Sequence, residues 1–131
     1  TRADYEAEQM EALRQSGVLR LVAGTERLTE SISVVPAPGH TPGQQCVRVA
    51  RRGESALYVS DLAVVPVQAQ RLAWISALDV EPMVSLESKR EILGRAAEEG
   101  TLLLFEHEPD DDLAVGRLYP DGKRWGYRPG V

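Results

Sequence analysis

Two five-residue runs, "SALYV" (Ser55–Val59) and "TLLLF" (Thr101–Phe105), constrain this chain more than any other feature. Each is apolar almost throughout and bounded by charged or glycine-containing segments, the pattern of a strand buried on both faces of a sheet. Such a sheet needs cover on two sides, and the chain offers only about two helices to supply it. One face can be covered from within. Leaving the other bare would expose several hundred Å² of apolar surface. At about 25 cal/mol per Å², even ~400 Å² forfeits roughly 10 kcal/mol, comparable to the whole stability of a small domain. The chain is therefore expected to pair through that face, as a homo-oligomer or with another segment.

The elements around the two runs follow an α/β order. Tyr5–Gln15 suits a surface helix stopped by Gly17, and "VLRLVAG" (Val18–Gly24) suits a short strand. "SISVV" (Ser31–Val35) alternates polar and apolar, and "QCVRVA" (Gln45–Ala50) is joined to "SALYVS" by "RRGE", a hairpin turn. Pro66–Pro82 has no strict period and is expected to be irregular or partly helical. Ser85 is placed as the N-cap of a helix that carries Leu86, Ile92, Leu93 and Ala96 and closes at Gly100. After "TLLLF", Ala114–Pro129 forms a hairpin turned by Pro120-Asp121-Gly122.

Composition removes several function classes. With 131 residues, 43% of them hydrophobic, the chain holds one packed domain and not two. A net charge of -5 and a pI near 5.1 provide no basic field for phosphates, so nucleic acid is not an expected partner. No apolar stretch is long enough to span a bilayer, so a membrane is not expected either. Cys46 is the only cysteine, which rules out an internal disulfide and makes a cytoplasmic origin the default.

The titratable residues draw attention next. His40 follows the strand ending at Val35, Asp61 follows "ALYVS", and His107 follows "TLLLF". Taken singly, a loop histidine is most often a surface residue, and an aspartate after a strand is a common turn or cap residue. Together they place both histidines of the chain, and one carboxylate, beyond the ends of three strands. That is where ligands bind in α/β sheets. Two imidazoles and a carboxylate are also ligands that a borderline-soft divalent ion accepts. No compact spacing ties them together, since they lie tens of residues apart.

The segments "PAPGHTPGQ", "LYVSDLAVVPVQ" and "TLLLFEHEP", in this order and at these separations, resemble the second half of the metallo-β-lactamase superfamily of metal-dependent hydrolases. The branch it is most similar to includes methyl parathion hydrolase-like and lactonase-like enzymes. The resemblance implies an α/β fold, half of a four-layered αββα sandwich with a mostly antiparallel or mixed sheet and helices on one face. It implies metal ligands His40, Asp61 and His107, with Asp61 bridging two ions, and no residue of purely catalytic role. It implies a cofactor of zinc or another divalent pair, a small-molecule substrate, and hydrolysis of an ester, lactone or phosphoester-type bond. Prolines and glycines around His40 would then fix a tight loop that aims the imidazole, with Gly39 and Gly43 providing unusual backbone freedom.

The departures from the family pattern matter as much. The first motif, His-x-His-x-Asp-His, is absent, and Gln44, Ser60 and Val64–Pro66 stand where relatives often carry histidine, glycine and histidine respectively. Residues 1–131 are thus expected to form the C-terminal half of a longer domain, inactive alone and associating with the missing N-terminal half or with itself. The threonine at position 1 fits that expectation. Leu62–Leu104 contains no tyrosine, where lactonase-like relatives place one near the substrate, which argues against an acyl-homoserine lactone. Glu106 and Glu108 flank His107 and are expected to be solvated acids. The alternative function is a non-catalytic binding or oligomerisation module derived from the same fold.

Overall fold

Seven strands pair in strict chain order in a computed structural model that describes residues 6–130. They are β1 (Glu26–Arg27), β2 (Ile32–Pro36), β3 (Gln45–Arg51), β4 (Glu54–Tyr58), β5 (Leu102–Leu104), β6 (Val115–Asp121) and β7 (Arg124–Pro129). Every pairing is antiparallel except β4 with β5, which is parallel. A parallel pair needs a crossover. Here it carries helices α2 (Pro66–Gln70) and α3 (Pro82–Glu99), while a third helix, α1 (Ala7–Gln15), precedes the sheet. Tyr5, the expected start of α1, and Thr1 lie outside the described residues.

Local chemistry explains the tight connections. Arg52 and Gly53 both have positive φ, 55° and 86°, the arrangement of a two-residue hairpin turn whose twist matches its strands. Arg51 and Glu54 close that turn as a pair. α3 begins three residues before the Ser85 cap expected from sequence. Pro82 has its φ set for a first helical turn and lacks the N–H that would go unpaired there, so it starts the helix. Ser85 lies inside, 1% exposed, its N–H donating to the Glu81 carbonyl. The helix ends as expected at Gly100, whose φ of 65° lets its N–H reach the Ala96 and Ala97 carbonyls.

The strand expected at Val18–Gly24 does not form. The sheet edge beside β2 is taken by Glu26 and Arg27, paired with Val34 and Ser33. Val18 and Leu21 are left 77% and 85% exposed. Without an edge to join, an apolar run has nothing to donate its backbone groups to.

The core sits between one sheet face and the crossover helices. Cys46, Leu57, Leu103 and Leu118 of the strands, with Val59 and Phe105 just beyond β4 and β5, meet Ala69 of α2 and Leu93, Ala96 and Ala97 of α3. Leu93 and Leu103 are fully buried, each stabilising by about 1.5–3 kcal/mol relative to exposure. Phe105 and Tyr127 add an edge-to-face pair with ring centroids 5.8 Å apart.

The opposite face carries two apolar rows that the register lays straight across the sheet. One runs Ile32, Val49, Ala56, Leu102; the other runs Val34, Val47, Tyr58, Leu104, Val115. Neither α2 nor α3 reaches it, and α1 buries no residue. The expectation that β4 and β5 are buried on both faces is therefore corrected: Leu57 and Leu103 are buried, whereas Ala56, Tyr58, Leu102 and Leu104 are only half-buried. No helix among the described residues is long and apolar enough to cross a membrane.

Candidate metal centre

Three chain segments leave the sheet at the same end and meet there. The loop after β2 brings His40, a single 3-10 turn after β4 (Ser60–Leu62) brings Asp61, and the segment after β5 brings His107. The parallel pairing of β4 and β5, extended by a bond from the Val59 N–H to the Leu104 carbonyl, sets Asp61 and His107 side by side.

Each segment is held by features of its own sequence. The His40 loop is closed by the Ala37 N–H on the Gln44 carbonyl and the Gly39 N–H on the Thr41 carbonyl. It is then strapped to α3: Val80 and Glu81 donate to the His40 and Gly39 carbonyls, and the Ser88 hydroxyl donates to the Pro38 carbonyl at 2.7 Å. Gly39 has φ 136° and lies so close to Ser85 that a Cβ would strike its Oγ, Cα and N. Gly43, expected to share this freedom, has no positive φ and open space around it. Ser60 has φ 50°, a left-handed backbone that a side chain resists, in the residue that turns the chain into Asp61.

The carboxylate of Asp61 lies between the two imidazoles and presents a different oxygen to each. Oδ1 is 3.0 Å from His107 Nε2, and Oδ2 is 3.9 Å from His40 Nε2, too far for a hydrogen bond. His40 and Asp61 are partly buried, with side chains 21% and 27% exposed, while His107 is 51% exposed. The structure thus brings together all three residues singled out by sequence. Asp61, Glu106 and His107 each offer one ligand atom within 4.8 Å of the others, the spacing a single cation could use, with His40 Nε2 on the far side of Asp61.

Two neighbours escaped the sequence reading. Glu106, expected to be a solvated acid, places Oε1 3.1 Å from His107 Nε2. Asp79, in the stretch expected to be irregular or partly helical, places Oδ1 3.0 Å from His40 Nδ1, and its side chain is only 4% exposed. The signal that could have found it is Pro82, which marks the helix start and puts Asp79 at its mouth. Gln44 ends the His40 loop, 9% exposed, and its Nε2 donor has no partner among the described residues. Such an orphan costs about 1–3 kcal/mol.

No protein-family model and no curated protein matches the sequence. Solved structures do match. AidC, a dizinc quorum-quenching lactonase, superposes with a TM-score of 0.75 at 19% identity, over 99% of this chain and 46% of its own. A probable metal-dependent hydrolase from Staphylococcus aureus gives 0.74 at 21%, over 88% and 41%. The hydrolase AbOPH of the beta lactamase superfamily gives 0.72 at 23%, over 95% and 43%. The fold is the metallo-β-lactamase fold. The chain spans less than half the length of these metallo-β-lactamase-fold hydrolases, and its sheet with helices on one face is the half-sandwich that the resemblance implied.

Proposed function

We propose that this chain supplies part of the dinuclear centre of a metallo-β-lactamase-fold hydrolase, with His40, Asp61 and His107 as ligands and zinc as the first candidate metal. The observation that carries the reading is the Asp61 carboxylate, set between two imidazoles with one oxygen toward each. The donor set fits the group, since neutral imidazoles and a carboxylate are what zinc-like ions take, and a carboxylate alone has two oxygens with which to bridge. When bound, a divalent pair supplies Lewis acidity toward a carbonyl or phosphoryl oxygen and brings the pKa of a water near neutrality.

The chain's own residues orient and neutralise. His107 Nε2 lies 3.0 Å from Asp61 and 3.1 Å from Glu106 and would serve as a ligand, and the carboxylate of Asp61 would supply negative charge to balance a cation held there. The strapped His40 loop keeps its imidazole from turning away. The substrate class is a small molecule with an ester, lactone or phosphoester-type bond.

Three ligands hold two ions poorly, so the isolated chain is expected to hydrolyse nothing efficiently. The remaining donors, and the cover for the open apolar face, are assigned to an associated segment: the N-terminal half of the same domain, or a second copy. Titration of cobalt(II) into the chain, followed by its visible absorbance, tests the site. Wild type should develop the spectrum and Asp61→Asn should lose it. A wild-type chain that binds no cobalt, or an Asp61→Asn chain that binds equally well, rejects the reading.

A further inference from the structure

The two ring nitrogens of His40 face different worlds. Nε2 looks across 3.9 Å toward Oδ2 of Asp61. Nδ1 makes a 3.0 Å hydrogen bond to Asp79, whose side chain is 4% exposed against 27% for Asp61. A carboxylate only accepts, so the hydrogen in that bond sits on Nδ1. A neutral imidazole has one N–H, and Nε2 is left with a bare lone pair on the side of Asp61.

The register of this contact is fixed by backbone. The N–H groups of Val80 and Glu81, directly after Asp79, donate to the carbonyls of His40 and Gly39 at 3.2 and 2.9 Å. This two-rung ladder holds Asp79 and His40 side by side where α3 begins. A buried carboxylate needs compensation. The N–H at His40 Nδ1 provides it.

We infer that Asp79 is the positioning residue of His40, holding the ring as the Nδ1–H tautomer with Nε2 presented to Asp61. Asp79 touches no substrate; it acts through His40. As a claim about metal binding this rests on the function proposed above, and as a claim about the tautomer it does not.

The test therefore has two readouts on the full chain. The first is the nitrogen-15 NMR spectrum of the metal-free protein above neutral pH, where two histidines give two ring systems. His40 should show a protonated Nδ1 and an unprotonated Nε2, and the reverse overturns the inference without recourse to any variant. The second is zinc affinity by competition with a chromophoric chelator. Asp79→Asn keeps the shape of the side chain but can turn its NH₂ toward Nδ1, which favours the wrong tautomer. It should weaken zinc roughly 10–100-fold, the usual effect of losing a histidine's orienting partner. Glu98→Gln, an exposed acid at the far end of α3, should change neither readout. Equal affinity and an unaltered tautomer in Asp79→Asn would overturn the inference. A wild-type chain with the expected tautomer and no zinc affinity would instead remove the metal reading and leave the positioning role standing.

Discussion

Raising the pH from 8 toward 12 perturbs two buried groups in opposite senses. Cys46 is fully buried, and its Sγ donates to the Val59 carbonyl at 3.3 Å. Burial pushes the thiol up from 9.0 to about 12. The folded value lies above the unfolded one, so this contribution is fully present below about pH 9 and is lost as the pH rises toward 12. At 1.36 kcal/mol per unit the loss is about 4 kcal/mol. Lys89 runs the other way. Burial lowers it from 10.5 to about 8, against the pull of Asp79, so the cost of holding its charge is present below pH 8 and is relieved between 8 and 10.5. That relief is at most about 3 kcal/mol and is reduced by whatever solvent screens the ammonium. Stability should therefore rise from pH 8 to about 9, change little to about 10, and fall steeply beyond. Tyr127, pushed up to about 12 by burial and the charge of Glu108, steepens the fall. Urea midpoints read by tryptophan fluorescence across this range measure the profile. Cys46→Ala should lower stability at neutral pH yet flatten the alkaline decline. A wild-type midpoint that stays level from pH 9 to 12, or a Cys46→Ala chain that declines as steeply as wild type, would refute the reasoning.

Three further outcomes are expected. Ser60→Gly removes the left-handed strain at φ 50° and should stabilise by about 1 kcal/mol, seen as a higher thermal midpoint; a lower one would mean that the hydroxyl contributes more than the strain costs. Gly39→Ala drives a Cβ into Ser85 and should destabilise by about 3 kcal/mol or more, weakening cobalt binding in parallel, whereas wild-type behaviour would show that the His40 loop is not clamped to α3. Val47→Glu with Leu104→Glu places charges in one apolar row of the open face and should shift sedimentation from an associated species toward monomer; a wild-type chain that is monomeric at micromolar concentration would refute pairing through that face.

Much of the sheet was legible because its signals are local. The hairpin at Arg51–Glu54 follows from glycine at the second turn position between two strand-like runs, and the closure of α3 at Gly100 follows from glycine's access to positive φ. The start of α3 was misplaced because serine is a good cap and proline a better start, and only the burial of Ser85 against Gly39 shows which one acts. The Val18–Gly24 run has strand composition, but a strand also requires a free edge, which no local pattern reports.

The site divides the same way. Sequence alone determined that His40, Asp61 and His107 each follow a strand, because strand ends are marked by composition and turn residues. Tertiary structure alone decided that Asp61 turns one oxygen to each imidazole, that Glu106 shares His107, and that Asp79 holds His40 from 39 residues away. Those contacts join segments that only the parallel β4–β5 pairing and the strap between Gly39–His40 and Val80–Glu81 bring together. Which distant segments become neighbours is decided by packing over the whole sheet, and periodicity within one segment does not report it.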